Sequence, residues 1–436
     1  VTATAQPHPI DSRRNIAGFS GDITFFVSAT AFIPASTVLV GLASRLTEDK
    51  TLIGAVGMVW AVMWFLPQLV AARIVKGKTR YKPYVVIPSV IGRFAFLSIA
   101  AWLFLTQAAQ PLLTVWFLLI TLAVFNVCDS LASIGWFDVL GRMLTPKTRG
   151  RVVTFAQIIS GVIGIGVSEF IKRILDNDAI SFPNNYAMIF LGAFLCMAIS
   201  LFLFLLVKEN PSETPPPQEA TQHDFLQSLR HSFRNDDLFR RVLIVRFLTG
   251  LELMAASFYL VFIKEKLNLA DSVDGTFTQM LIVGGLVGIS IFGWLAERFT
   301  ARRVIHASSM LHVASPLLAL VVSLMPSTNT ALTQFSFFAF VFVFLFRGAL
   351  DHSLMLGTLG YLIDNTPHHL RGMYIGALNT LGGIVSMTPV LGGAWIDSFG
   401  HRTFNAFPYS AMFGVVMVFA ATGLLYSVRL PRARHT

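Results

Sequence analysis

Gly293-Trp294-Leu295-Ala296-Glu297-Arg298-Phe299-Thr300-Ala301-Arg302-Arg303 lies between two long apolar runs. A small residue opens the stretch, an acid–Arg pair sits in its middle, and two more arginines close it. Charge inside hydrocarbon costs about 2.5–3.5 kcal/mol per residue on insertion scales. A short charged stretch between apolar runs therefore reads as a tight connection at a membrane surface. The stretch recurs 222 residues earlier, from Ala71 to Tyr81. There Lys76 and Arg80 stand where Arg298 and Arg302 stand, while Val75 takes the place of the acid.

The composition agrees. Of 436 residues, 54% are hydrophobic and 13% charged, against roughly 25% charged in a soluble domain. Runs long enough to cross a hydrocarbon core of about 30 Å occupy approximately 16–43, 52–75, 84–106, 112–140, 152–175, 185–207, 242–263, 276–296, 304–325, 332–362, 372–396 and 404–428. The expected fold class is an all-α membrane protein with twelve transmembrane helices. The run of alternating phenylalanines from Phe335 to Phe346 also reads as helix, because a lone strand in lipid would leave its backbone unsatisfied. Residues 1–15 are polar and lack a signal-peptide pattern. Cys128 and Cys196 lie inside apolar runs and read as small buried residues rather than a disulfide.

The net charge of +10 is no nucleic-acid footprint, because the basic residues sit in short loops. Most of the 33 Lys and Arg fall on the side that also holds Arg13, Arg14 and the tail residues Arg429, Arg432 and Arg434. The positive-inside rule makes that side cytoplasmic and puts both termini inside.

The stretch at 293–303 resembles the signature loop of the major facilitator superfamily, Gly-x-x-x-Asp-Arg-x-Gly-x-Arg-Arg. Here Glu297 replaces the Asp and Thr300 the second Gly. The superfamily carries this loop on the cytoplasmic side, once in each half of a duplicated fold. The repeat at 222 residues matches that plan. So does the echo of Thr145-Pro146-Lys147-Thr148-Arg149-Gly150 in Thr366-Pro367-His368-His369-Leu370-Arg371-Gly372. The resemblance implies two pseudo-symmetric six-helix bundles, 1–207 and 241–436, with the substrate site between them. Residues 208–240 form a cytoplasmic linker. Its Pro-rich start cannot fold, and Phe225, Leu226, Leu229 and Phe233 share one face of a short amphipathic helix. Gly293, Glu297, Arg298, Arg302 and Arg303 form the expected gating loop, with Glu297 held by arginines or by the start of span 11.

In the superfamily, spans 1, 4, 7 and 10 line the cavity, and the buried charges gather there. Asp22 lies on span 1, and Asn126 and Asp129 on span 4. Arg246 and Glu252 lie on span 7, and Arg347, Asp351 and His352 on span 10. These are the substrate and coupling candidates. Asp129 and Asp351 are again 222 apart. Arg347 and Asp351, four apart, share a helix face and can pair. Glu169 and Arg93 read as structural, and His312 as a packed residue. Acids outnumber bases in this set, which favours a neutral or cationic solute.

The implied function is secondary transport of a small organic solute by alternating access, coupled to protons. The alternative is a cation-coupled sugar symporter of the glycoside–pentoside–hexuronide type, using protons or sodium. That family is loosely resembled by Asp22, Asp129 and Tyr81-Lys82-Pro83-Tyr84. A non-transporting assembly factor or sensor on the same fold is the other reading. Neither an enzyme nor a cofactor is expected. Gly77-Lys78-Thr79 ends like a phosphate-binding loop, but Ala72 stands where such a loop needs Gly. The protein is expected to be a monomer in a bacterial inner or plasma membrane, without nucleic acid.

Overall fold

Short side chains set the starts of the helices. Ser12 accepts the backbone N–H of Asn15 at the start of α1 (Arg13–Thr30). Thr145 accepts that of Thr148 before α6 (Pro146–Leu175), with Pro146 in the first turn. Such caps satisfy N–H groups that have no partner in the helix itself. Between these lie α2 (Val38–Leu46), α3 (Lys50–Phe65), α4 (Lys82–Thr106) and α5 (Pro111–Met143). The chain continues through α7 (Asn184–Leu205), α8 (Asp237–Gly250), α9 (Leu253–Ala256), α10 (Tyr259–Leu267) and α11 (Val273–Arg298). Then come α12 (Ala301–Leu324), α13 (Thr330–Leu350), a π-helical turn (Leu354–Leu359) and α14 (Gly360–Asn365). Last are α15 (His368–Val385), α16 (Thr388–Asp397) and α17 (Ala406–Val428).

This computed structural model describes residues 11–65, 67–68, 78–210, 233–326, 329–351, 353–366, 368–400 and 404–431. The chain is an all-α, multi-pass integral membrane protein. Among the described residues ten helices are long and apolar enough to cross a membrane, and Lys50–Phe65 is a shorter apolar helix. Expected span 1 is divided between α1 and α2 around Pro34. The phenylalanine run is helical within α13. Phe340 and Phe344 are buried, while Phe335, Phe338 and Phe342 face outward. Outward apolar rings suit lipid as solvent. Of the early loop copy, Ala71–Gly77 lies outside the described residues, as does most of the expected linker helix.

Packing divides the chain into two units, Val1–Pro34 with Val59–Gln218, and Ala35–Met58 with Glu219–Thr436. In the first, Phe19 of α1 meets Trp136 of α5 edge-on at 5.9 Å and Phe204 of α7 at 6.1 Å. Glu209 closes its polar end. That carboxylate accepts the N–H of Tyr81 at 2.6 Å and of Lys82 at 2.9 Å, at the start of α4, and also meets Arg142. A carboxylate there is favoured by the helix dipole.

In the second unit α11 and α13 touch backbone to backbone. A Cβ on Gly284 would collide with the Leu345 carbonyl, and one on Gly348 with the Leu281 carbonyl. Close approach through small residues is how helices gain contact where no hydrophobic drive separates protein from lipid. Residues 35–58 are tied into the same unit. Thr37 and Thr278 hydroxyls lie 2.7 Å apart. Asp397 accepts the N–H groups of Lys50 and Thr51 at 2.9 and 2.8 Å, capping α3.

Candidate functional site

In the first unit four helices bring a polar chain together. Asp22 of α1 is buried. Its two oxygens accept the Trp136 indole N–H at 2.7 Å and the Ser200 hydroxyl at 2.6 Å. Arg93 of α4, also buried, donates to the Met197 carbonyl at 2.8 Å and to Ser200 Oγ at 3.2 Å. The guanidinium thus reaches Asp22 through a hydroxyl rather than directly. Asp129 of α5 accepts the Trp64 indole N–H at 3.1 Å. Asn126 shares its helix face but turns back, donating to the Leu122 carbonyl at 2.8 Å.

In the second unit Glu252 is fully buried at the break between α8 and α9. Arg347, in the last turn of α13, donates to its Oε2 at 3.0 Å. His312 Nδ1 lies 3.7 Å from the same oxygen, beyond hydrogen-bond distance. The other Arg347 nitrogen is 3.9 Å from Asp351, whose side chain is 65% exposed. Glu252 Oε1, Tyr259 Oη, His312 Nδ1 and Arg347 Nε are buried without a hydrogen-bond partner among the described residues.

The structure brings Glu252, Arg347 and Asp351 together, and Asp22 with Arg93. Arg347 sits closer to Glu252 than to the Asp351 expected from helical spacing. His312, read from sequence as a packed residue, joins the Glu252 cluster. Trp64, Trp136, Ser200 and Tyr259 carry no sequence signal beyond lying on spans. Glu169 pairs with Arg173 at 2.7 Å, one turn along its own helix. His352 lies outside the described residues.

At the loop, Glu297 is exposed at the end of α11 and pairs with no base among the described residues. The arginines expected to hold it go elsewhere. Arg302 donates to the Val428 carbonyl at 2.7 Å, and the Arg303 guanidinium stacks 4.5 Å over the Phe299 ring. Arg298 is exposed beside Glu297, and Gly293 is half-buried one turn earlier.

The model of a family described as MFS/sugar transport protein matches residues 73–378. The chain belongs to this family. Its fold is that of major facilitator transporters of known structure. The nucleoside transporter NupG is 12% identical, with 95% of this chain and 100% of that one covered and a TM-score of 0.68. A POT family transporter in complex with a thioalcohol-conjugated peptide is 11% identical, covering 96% and 97%, with a TM-score of 0.69. A bacterial homologue of the human lysosomal transporter Spinster, inward-facing and unoccupied, is 13% identical, covering 95% and 94%, with a TM-score of 0.61. No curated protein matches the sequence. For this family member, the charged clusters of the two units are the candidate sites.

Proposed function

We propose that this member of the MFS/sugar transport family is a secondary active transporter that moves a small organic solute by alternating access. In this reading, spans 1–6 (residues 1–207) and 7–12 (residues 241–436) form two six-helix bundles joined by the linker at 208–240. The protein works as a monomer in a bacterial inner or plasma membrane, with both termini cytoplasmic. It is a carrier and not an enzyme.

Coupling is to protons, and the observation that carries this is the sealed pair of Glu252 and Arg347 with Asp351 beside it. A carboxylate held in protein by one guanidinium loses that attraction when it binds a proton. Arg347 is then free to turn to Asp351. That is a differential interaction between two states, without which no ligand can drive a conformational change. Asp129 and Asp22 of the first unit are the second coupling group, and the loop at 293–303 biases the two states.

Uptake into proteoliposomes under an imposed pH gradient, for wild type and Glu252→Gln, tests this. Wild type should respond to the gradient and the variant should not; equal responses would remove Glu252 from coupling. The family description, MFS/sugar transport protein, supports a sugar as the solute of a second reading, a cation-coupled sugar symporter. A sodium gradient in place of the proton gradient separates the two coupling ions. A scaffold protein would respond to neither.

A further inference from the structure

In the second unit α11 keeps one face open to lipid down to its last turn. Val287, Ile291 and Trp294 are exposed. Their spacing of four and then three residues puts them in one stripe, and exposed Arg298, four residues further and the last of the helix, continues it. Just past the helix end Phe299 is also exposed and meets Trp294 edge-on, with ring centres 5.6 Å apart. The guanidinium of Arg303, in the first turn of α12, lies 4.5 Å from the centre of the Phe299 ring. Two guanidiniums thus flank an exposed aromatic pair at the foot of an apolar stripe about 16 Å long.

The charges here do not satisfy one another. Arg302 is engaged by the Val428 carbonyl at 2.7 Å. Arg298 and Arg303 have no carboxylate or carbonyl partner among the described residues, and the neighbouring acid, Glu297, is exposed and pairs with neither. Three arginines against one acid leave the loop positive. The loop begins where an apolar span ends, so it lies at the membrane surface, the level at which aromatic rings gather. Anionic head groups at that surface attract basic side chains. The planar fork of a guanidinium fits a phosphate with two parallel hydrogen bonds. A stripe that faces hydrocarbon is covered by an apolar chain, and the guanidiniums at its foot suit a phosphate. A phospholipid with net negative charge carries both parts in one molecule.

We propose that the end of α11 and the start of α12 form a binding site for an anionic phospholipid. Its phosphate sits between Arg298 and Arg303, its glycerol region against Trp294 and Phe299, and one acyl chain along Ile291 and Val287. The test uses the full-length protein purified in detergent and stripped of lipid. Its thermal midpoint is followed while phosphatidylglycerol, or phosphatidylcholine with the same acyl chains, is added. A ligand that binds the native state raises the midpoint in a saturable way. Phosphatidylglycerol should give such a rise where the same amount of phosphatidylcholine does not, and salt should weaken it by screening. The double variant Arg298→Gln with Arg303→Gln should lose the preference, and Arg298→Lys with Arg303→Lys should keep part of it. Equal responses to the two lipids in wild type, or an undiminished preference in the glutamine variant, overturn the site. So does an equal rise with glycerol phosphate, which has the anion without the chains. Should the glutamine variant fail to fold, Trp294→Ala takes its place: a weaker response to phosphatidylglycerol supports the site and an unchanged one overturns it. The measurement needs no transport, so its failure leaves the gradient-driven uptake experiment standing, and failed uptake leaves this result standing.

Discussion

Arg347 lies between two acids, 3.0 Å from Glu252 and 3.9 Å from Asp351. The first acid is sealed and the second is 65% exposed. One guanidinium therefore joins a fully buried carboxylate to an exposed one, at the join of α13 and the π-helical turn.

Breaking this pair from one side should cost more than removing it. Arg347→Ala leaves Glu252 buried and unpaired, and loss of one partner of a buried pair costs about 3–5 kcal/mol. The double variant Glu252→Gln with Arg347→Gln should recover part of that loss. Thermal melts of the two single variants and the double one give the coupling directly. Additive losses would show that the two side chains act independently.

Asp351→Asn removes the open partner and leaves the sealed one. The variant should retain exchange or binding of solute but lose accumulation against a gradient. Uptake and counterflow compared in the same vesicles measure this. An unchanged accumulation ratio would assign the hand-over elsewhere.

The contact of α11 with α13 should tolerate no side chain. Gly284→Val or Gly348→Val forces the backbones apart, and overpacking of this kind costs about 1–3 kcal/mol or more. A lowered melting midpoint checks it. Gly150, where an added Cβ meets nothing within 4 Å, is the control position for the same substitution.

Asp11 supplies a pH prediction outside the spans. Lost hydration acts to raise its pKa, but hydrogen bonds from the Thr145 side chain, the Thr145 backbone and Thr148 outweigh it and hold the group below its ordinary 3.8. A carboxyl lowered in the folded state stabilises above its unfolded pKa, and that stability is lost as pH falls through the folded value. Asp11→Asn should remove this acid-side dependence, seen as a flatter melting profile below about pH 4. An identical profile in both proteins would mean that Asp11 contributes nothing to it.

What the sequence made legible was local. The expected spans begin at 16 and 152, several residues inside the helices, although the caps at Ser12 and Thr145 bond only three residues along the chain. The Arg347–Asp351 neighbourhood follows from a spacing of four. The stronger partner, Glu252, is 95 residues away, and only the crossing of two helices brings it near. His312 and Ser200 were hidden for the same reason. The interruptions in span 7, from Leu251 to Phe258, involve no proline, and nothing in Glu252-Leu253-Met254-Ala255-Ala256 announces them. The fate of Glu297 was also illegible, because Arg302 and Arg303 had other partners that lie on α17 and on the loop itself.

The π-helical turn at Leu354–Leu359 amounts to one residue more than an α-helix needs. One residue is about 100° of rotation. Everything after the turn is therefore dialled round by that angle relative to an unbroken helix. Tyr361 and Leu362 are buried in the second unit's core, and the Tyr361 hydroxyl donates to the Pro431 carbonyl at 2.8 Å. Deleting a single residue from this turn would regularise the helix and swing that pair out of register. A shorter, more regular helix would be the worse one here: the surplus residue is what indexes one end of the span to the other.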